Sequence, residues 1–431
     1  MELVILVAVF VVLFALGVPV AFCIGTATLA SFLLAVDFLP AVTTVAQRMA
    51  GGLNSFALLA IPLFILSGQL MARGGIARRL IDFSKALIGM VPGGLAFVNV
   101  ISCMLFGSIS GSAVAATSAV GGFMIPEMTK EGYDRNFSAA ITATASTTGL
   151  LIPPSNILII YAVASGGVSI AALFVAGYLP GILMGLALMI VAAGYARKHQ
   201  LPAGQRVSLR DVASKTFAAL PSLLLVLIVI GGILGGLFTA TEAGAVAVLY
   251  ALTLAVFIYK EVKVAELAEI LLRSAETTAI VMFLIGTSMA MSWLLAYENV
   301  PGEMASFLLG LSDNPIAILL LINLLLLAVG IFMDLTPAVL IFTPIFLPVA
   351  VALGMSPLHF GIMMIMNLTI GLCTPPVGSI LFVSCAVAKI SIGKIVRPMI
   401  PMYAALFVAL MLVTYIPAFS EFLPRYFGLI D

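Results

Sequence analysis

The fold of this chain is decided by the stretch TASTTGLLIPPSN, residues 144–156, together with a similar stretch, NLTIGLCTPPVG, at residues 367–378. Each stretch places two consecutive prolines inside an apolar run long enough to cross a membrane. Proline removes a backbone donor and clashes with the preceding turn, so neither run can form one continuous helix. The proline pairs begin at Pro153 and Pro375, an offset of 222 residues. The sequence therefore predicts an interrupted membrane helix in each half of the chain, a pattern typical of substrate sites in membrane carriers.

Residues outside the proline pairs keep the same offset. It takes Thr147 to Thr369 and Gly149 to Gly371. No gap is needed in the alignment from Pro126 as far as the first proline pair. A constant offset over such a length indicates an internal repeat, so we expect two copies of one structural unit.

The composition indicates a membrane protein. Hydrophobic residues make up 63% of the 431 residues and charged residues only 9%, whereas a soluble domain carries about 25% charged residues. We therefore expect an all-α protein that crosses the membrane many times. The formal net charge of +1 leaves no basic surface of the kind that binds nucleic acid.

Several other kinds of site are not indicated. The four cysteines lie in apolar runs without a metal-binding spacing, so we expect buried side chains. The two histidines are far apart in the sequence, and neither a nucleotide-binding loop nor a nucleophile motif is present. We therefore expect no enzyme activity and no transition-metal site. The first apolar run follows no basic region, which favours a membrane helix over a cleaved signal peptide.

The order of apolar runs predicts four parts. They are an N-terminal helix pair (residues 1–50), a first repeat (51–196), a cytoplasmic loop with linking helices (197–275), and a second repeat with a last helix (276–431). Each repeat would contain a scaffold arm, a re-entrant hairpin and a broken helix. The first hairpin tip, Gly107–Ser112, is rich in glycine and serine. Irregular backbone of this kind is tolerated at membrane depth where the protein satisfies its polar groups.

The lysines and arginines predict the orientation. We place the N-terminus outside and let each hairpin enter and leave on one side. All 19 lysines and arginines except Arg48 and Arg425 then fall on the cytoplasmic side, as the positive-inside rule requires. Both termini would lie in the periplasm. The two hairpins would enter from opposite sides, so the repeats would be inverted.

Asp334 is the one acidic residue that falls outside every predicted aqueous loop. It lies at the tip of the second hairpin, and the offset of 222 residues relates it to Ser112 at the first tip. An ionisable group at membrane depth costs at least about 2.5 kcal/mol, so it is retained for a bound ion or a partner charge. No basic residue is predicted at that depth. This favours a bound cation over the alternative, a structural hydrogen bond to a helix end.

The helix breaks have a chemical consequence. A broken helix leaves carbonyl oxygens without partners, and these suit Na⁺. The following half-helix begins with free N–H groups at a positive dipole end, which suits a carboxylate. Glycines at 149, 371 and 378 allow the backbone to approach a ligand closely. A single break would be read as a simple proline kink, but two related breaks beside polar hairpins favour a binding site.

The sequence resembles the large membrane subunit of tripartite ATP-independent periplasmic (TRAP) transporters over nearly its whole length. The most specific matches are Ser110-Gly-Ser112, Ile125-Pro-Glu-Met128, Gly132-Tyr-Asp134, Ile152-Pro-Pro-Ser155, Thr241-Glu-Ala243 and Gly371 to Pro376. Ala240 departs from the proline that the family often has before Thr-Glu-Ala. The resemblance implies an elevator-type transporter driven by a Na⁺ gradient. It would import an organic acid, such as a C4-dicarboxylate or sialic acid, across the bacterial inner membrane.

The resemblance also implies partners and site residues. A periplasmic binding protein would deliver the substrate, and a small four-helix membrane subunit would brace the scaffold. The implied Na⁺ ligands lie where each hairpin tip meets its broken helix: Gly107, Ser108, Ser110, Gly149 and Pro153, and then Gly330, Asp334, Thr336, Gly371, Thr374 and Pro375. The implied substrate-binding residues are Ser112, Pro154, Ser155, Asn156, Pro376 and Gly378.

Two other functions stay open at this point. One is a stand-alone Na⁺/dicarboxylate symporter of the same superfamily, which would need no partner. The other is a channel or the membrane subunit of an ion pump. A channel would show uncoupled flux, and a pump subunit would co-purify with a soluble enzyme.

Overall fold

The chain is helical throughout the part that the structure describes. This computed structural model describes residues 2–201, 203, 208–375 and 377–430. The α-helices are α1 (Glu2–Ala15), α2 (Val20–Ala35), α3 (Phe38–Leu53), α4 (Ala60–Arg73), α5 (Ile76–Ile88), α6 (Gly94–Ser110), α7 (Ala113–Lys130), α8 (Arg135–Thr148), α9 (Asn156–Ala164), α10 (Ile170–Ala176), α11 (Tyr178–Lys198), α12 (Leu209–Leu234), α13 (Ala240–Leu252), α14 (Leu267–Tyr297), α15 (Val300–Leu311), α16 (Pro315–Phe332), α17 (Leu335–Ala352), α18 (Pro357–Gly371), α19 (Ser379–Ala388), α20 (Ile392–Tyr415) and α21 (Ala418–Tyr426).

Eight helical segments within these described ranges are long and apolar enough to cross a membrane. They are Phe56–Arg73, Ile170–Lys198, Leu209–Leu234, Ala240–Ile258, Val264–Tyr297, Pro315–Phe332, Leu335–Ala352 and Ile392–Tyr415. The predicted all-α membrane architecture is thereby confirmed. The re-entrant course of the hairpins and the inversion of the repeats stay predictions.

The contacts between helices define two groups. In the arm group, α4 packs against α13 and α14, and α14 packs against α2 and α3. The core group contains α6 to α9, α11 and α16 to α20. Within the core group the two halves of the chain exchange helices, because α9 packs against α17, while α19 packs against α7 and α8. The two halves therefore share one core.

Two helix pairs, α6–α7 and α16–α17, turn sharply at related positions. Gly111, at the first turn, has a φ of +62°, a conformation that glycine adopts without strain. Ser112 caps α7 by accepting a hydrogen bond from the Ala115 N–H at 3.2 Å. Asp334 caps α17 by accepting one from the Leu335 N–H at 3.0 Å. The residues related by the sequence offset thus have the same local role.

Each helix pair crosses its broken helix where two glycines meet. A Cβ atom built on Gly107 would lie 2.9 Å from the Gly149 Cα, which brings α6 against α8. A Cβ atom built on Gly330 would lie 3.0 Å from the Gly371 Cα, which brings α16 against α18. Only residues without a side chain allow backbones to approach so closely.

The chain leaves the helical conformation at both proline pairs. α8 ends at Thr148 and α9 begins at Asn156, while α18 ends at Gly371 and α19 begins at Ser379. In the first break the Ser155 hydroxyl donates a hydrogen bond to the Leu150 carbonyl at 2.5 Å. In the second break the Tyr403 hydroxyl donates to the Cys373 carbonyl. Each break is therefore held by a side chain that satisfies one of its carbonyls.

Two helices, α3 and α21, lie outside the sequence prediction. α3 packs against α14, and its residue Arg48 places its guanidinium 4.7 Å from the ring centroid of Trp293. α21 packs against α10 and α18, where the Glu421 carboxylate accepts a hydrogen bond from the Ser356 hydroxyl at 2.5 Å. Neither helix has the length and hydropathy of a membrane span, which is why the sequence did not predict them, and these contacts hold both in place.

Candidate functional site

A cavity of about 560 Å³ lies between the arm group and the core group. This volume falls within the range of about 300–1,000 Å³ that is typical of small-molecule sites. The core side of its wall consists of Ser110, Gly111, Ser112, Ala113, Val114, Ala115, Leu150, Asn156, Ile157, Ile160, Asp334, Leu335, Thr336, Pro337, Leu372, Ser379 and Ile380. The arm side consists of Pro19, Val20, Ala21, Ile61, Ile65, Gly68, Gln69, Ala72, Thr277, Ile280, Val281 and Leu284.

The core wall brings together residues that are far apart in the sequence. The predicted site residues that line the cavity are Ser110, Ser112, Asn156, Asp334 and Thr336. They come from both helix turns and from the start of the half-helix after the first break. Both turns and both breaks therefore face one cavity, although their assigned roles in binding stay predictions.

Other predicted site residues lie behind this wall. Nine of them are buried: Gly107, Ser108, Gly149, Pro153, Pro154, Ser155, Gly330, Gly371 and Gly378. Thr374 and Pro375 are half-buried in the second break. Four of these glycines form the two helix crossings, which gives them a packing role that the sequence did not reveal. Pro376 lies outside the described residues.

The hydroxyl groups near the breaks mostly satisfy their own helices. The Ser108 hydroxyl donates to the Leu105 carbonyl at 2.9 Å, and the Thr374 hydroxyl donates to the Ile370 carbonyl at 2.8 Å. Donation uses the single proton and leaves the oxygen lone pairs available. These oxygens therefore retain the capacity to coordinate a cation.

Four helices begin at the cavity wall. The first residues of α7, α9, α17 and α19 all line it. The N-termini of α9 and α19 carry no side-chain cap, so their first N–H groups are not satisfied in that way. Because each helix N-terminus carries a partial positive charge of about +0.5, the four together favour anions in the cavity.

Two polar groups in the core wall lack the partners that their chemistry requires. The buried Oδ1 atom of Asn156 accepts no hydrogen bond within the described chain. Buried polar atoms are nearly always paired, so this atom is suited to a ligand, an ion or water. Asp334 is exposed to the cavity, and among the described lining residues none is lysine or arginine. Its carboxylate is therefore available to a cation.

The residues available for a metal are hard oxygen donors. Over the described parts of the chain, no group of three or more His, Cys, Asp or Glu side chains is placed to hold a metal ion. The cavity instead offers Asp334, serine and threonine hydroxyls, and the amide oxygen of Asn156. This donor set fits an alkali or alkaline-earth cation and does not fit zinc or copper.

Gln69 and Thr277 are the polar residues on the arm wall, and the sequence prediction did not include them. The Thr277 hydroxyl donates to the Arg273 carbonyl at 2.9 Å. Gln69 lies in the apolar run of α4. An amide inside an apolar membrane run was the signal that could have identified it.

Comparison with known proteins agrees with this architecture. The family profile described as "Tripartite ATP-independent periplasmic transporter, DctM component" matches residues 7–419. The uncharacterised protein YgiK of Salmonella typhimurium is 54% identical over 97% of this chain and 96% of its own length. The C4-dicarboxylate TRAP transporter large permease protein DctM of Pseudomonas aeruginosa is 44% identical over 90% of this chain and 91% of its own length.

A third relative and a solved structure extend the comparison. The sialic acid TRAP transporter large permease protein SiaM of Vibrio cholerae is 39% identical over 95% of this chain and 96% of its own length. The crystal structure of the YdaH transporter of Alcanivorax borkumensis superposes with a TM-score of 0.65 at 16% identity, covering 89% of this chain and 90% of that one. At this identity the likeness concerns the fold alone.

Proposed function

Since this chain belongs to the DctM family, the large membrane subunits of tripartite ATP-independent periplasmic transporters, we propose that it imports an organic acid together with Na⁺. It is a transporter subunit of a bacterial membrane and not an enzyme. The names of two relatives specify a C4-dicarboxylate and sialic acid. Both are carboxylates, which supports a carboxylate substrate here.

The observation that carries this proposal is the set of four helix N-termini at one cavity. They supply about +2 of partial charge in total, at about +0.5 each, against the −1 of the Asp334 carboxylate on the same wall. No lysine or arginine lines the described part of the cavity. A substrate carboxylate would therefore bind to backbone N–H groups of α9 and α19, while Ser112 and Asn156 orient it. Such a site recognises an anion without a fixed cationic side chain that would have to be moved through the membrane.

Na⁺ would bind at the same two helix turns, beside the substrate. Asp334 and Thr336 with carbonyls of the second break form one candidate site, and Ser110 with carbonyls of the first break forms the other. Na⁺ at Asp334 would neutralise a carboxylate that faces the substrate anion. Binding of either ligand would thus favour binding of the other, which is the thermodynamic basis of coupled transport. Each Na⁺ that enters gains about 2.3 kcal/mol per 100 mV of membrane potential.

Transport would proceed by an elevator movement of the core group along the arm group. The cavity lies between these groups, and its arm wall is almost entirely apolar. An apolar wall makes few specific contacts that would have to be broken as the core slides, and it prevents passage of bare ions. The matching caps at Ser112 and Asp334, together with the two glycine crossings, support two repeats as the frame of this movement. The distribution of lysine and arginine supports their inversion.

The proposal includes two partners and an orientation. A periplasmic substrate-binding protein would deliver the acid, and a small four-helix membrane subunit would brace the arm group in the inner membrane. The tripartite description of the family supports both partners. Both termini would lie in the periplasm, which the distribution of lysine and arginine supports.

The test is reconstitution in proteoliposomes. This chain, a small subunit and a binding protein from the same gene cluster are reconstituted, and uptake of radiolabelled succinate and sialic acid is measured under an inward Na⁺ gradient. We expect uptake that requires all three components and that stops when choline replaces Na⁺. Robust uptake by this chain alone would instead identify a stand-alone symporter. Uptake that no ion gradient can drive uphill would identify a channel.

A further inference from the structure

The arm wall of the cavity carries two polar side chains, those of Gln69 and Thr277, and the two differ in their hydrogen bonding. The lining residues of α4 fall on one helix face, and all are apolar or glycine except Gln69. Within the described chain the Gln69 amide makes no hydrogen bond, whereas the Thr277 hydroxyl is committed to the Arg273 carbonyl. A glutamine amide offers two donors and an acceptor. Gln69 therefore brings unused hydrogen-bonding capacity to an otherwise apolar surface.

Gln69 is held beside the first helix turn of the core group. A Cβ atom built on its neighbour Gly68 would lie 2.7 Å from the carbonyl oxygen of Ser110. Gly68, the residue before Gln69, therefore packs directly against the backbone of the first helix turn. Gln69 lies on the arm wall of the cavity and Ser112 and Asn156 lie on the core wall, so a substrate whose carboxylate is held by the core wall would also face the Gln69 amide.

The position of Gln69 along α4 points to the cytoplasmic end of the cavity. Gln69 lies one helical turn before Arg73, whose Nη2 atom is 2.7 Å from Oε1 of Glu269 at the start of α14. Thr277 and the start of α2, residues 19–21, also line the cavity. The positive-inside distribution places this end in the cytoplasm. Gln69 is thus a polar group on the arm side of the path by which substrate would leave.

We propose that Gln69 selects the substrate by hydrogen bonding to a second polar group at the end remote from the carboxylate. The inference rests on the proposed function. An amide that is left unpaired against an apolar ligand discriminates against that ligand, because its hydrogen bonds to water are lost without replacement. The preferred substrates are therefore acids with a second carboxylate or a hydroxyl group. Acids that end in a hydrocarbon tail are disfavoured.

The experiment uses the three-component proteoliposomes and competing uptake of paired acids. Succinate and sialic acid are each paired with an analogue in which the remote carboxylate or terminal hydroxymethyl group is replaced by methyl. The ratio of kcat/KM within each pair is measured for the wild type and for Gln69→Leu. Ile65→Leu, on the same face of α4, is the matched control. The Na⁺ concentration that gives half-maximal uptake, the Na⁺ half-saturation, is measured for every variant.

We expect Gln69→Leu to reduce the kcat/KM ratio of the polar acid to its methyl analogue about tenfold, which is the effect of one hydrogen bond. The change should appear as a higher KM for the polar acid. Na⁺ half-saturation should stay unchanged, and Ile65→Leu should keep the full preference. An unchanged preference in Gln69→Leu, or an equal change in Ile65→Leu, overturns the inference while leaving the proposed function intact. Failure of the wild type to take up either acid overturns both.

A second variant keeps the test decisive if Gln69→Leu does not assemble. Gln69→Glu preserves the shape of the side chain and adds a negative charge. It should disfavour an acid with a remote carboxylate more strongly than one with a remote hydroxyl. Equal effects on the two acids would overturn the inference.

Discussion

The crossing of α6 and α8 gives the sharpest prediction about stability and ion binding. In Gly149→Ala the new methyl group would lie 2.5 Å from the Gly107 Cα and 3.0 Å from the Cys103 carbonyl oxygen. Favourable contacts between carbon atoms lie near 3.5–4.0 Å, so the helices must separate by about 1 Å. The atoms in the way belong to the backbone and cannot rotate aside. We expect a destabilisation of about 1–3 kcal/mol, the usual cost of overpacking.

The same change should weaken Na⁺ binding. α8 ends at Thr148, directly before Gly149, so a displacement of its end moves the first break relative to the helix turn at Ser110. Coordination distances tolerate only about 0.2 Å of error. A shift of about 1 Å therefore exceeds what a preformed ion site accepts, and Na⁺ half-saturation should rise even at temperatures where the variant stays folded.

The measurements are thermal unfolding in detergent and Na⁺-dependent uptake in proteoliposomes. The single tryptophan, Trp293, reports unfolding by its fluorescence. The matched control is Gly122→Ala in α7, where an added Cβ atom meets nothing within 4 Å. A helical glycine in open space gains about 0.5–1 kcal/mol on substitution by alanine. If Gly149→Ala and Gly122→Ala unfold at the same temperature with the same Na⁺ half-saturation, the close-crossing argument is wrong.

The remaining predictions concern the second repeat, the ion pairs and the orientation. Gly371→Ala should repeat the loss of stability, because its Cβ atom would lie 2.5 Å from the Gly330 Cα; a helical control such as Gly310→Ala, with open space around it, should not. Asp334→Asn should raise Na⁺ half-saturation without lowering expression, and normal Na⁺ dependence of uptake would remove Asp334 from the ion site. Reversing Lys85 to Glu breaks its ion pair with Glu127, yet should cost less than about 1 kcal/mol in thermal unfolding, because the pair is exposed. Alkaline phosphatase fused to the C-terminus should be active in cells. Fluorescence from green fluorescent protein fused at the same place would reverse the assigned orientation.

Much of the architecture could be predicted because membrane helices and proline breaks leave strong local signals. The break before Asn156 and the break before Ser379 lie where the proline pairs exclude a helix. The resemblance to TRAP large subunits is confirmed by the family match over residues 7–419. Asp334 was singled out by its charge alone, and it does line the cavity, where it also caps α17. Its role as an ion ligand stays a prediction.

The missed features depend on contacts between distant parts of the chain. α3 contains Arg48 and two glycines, so its hydropathy is too low for a span, and packing against α14 stabilises it instead. The role of Gly107 and Gly330 as crossing points requires their partners to be known, and a sequence does not state which helices meet. Gln69 lies outside both repeated motifs, and only the cavity relates it to them.

The exchange of half-helices between the two halves of the chain has a consequence for synthesis in the cell. α9 packs against α17, which ends at Ala352, so its partner does not exist when Ala164 leaves the ribosome. At roughly 5–20 residues per second, this interval lasts about 10–40 s. During that time the face of α9 that later packs against α17 must be covered by the insertion machinery or by lipid. The polar first helix turn must wait for the second half of the core in the same way. A truncated chain that stops before α17 would keep this exposed surface permanently, which makes it a natural substrate for membrane quality-control proteases.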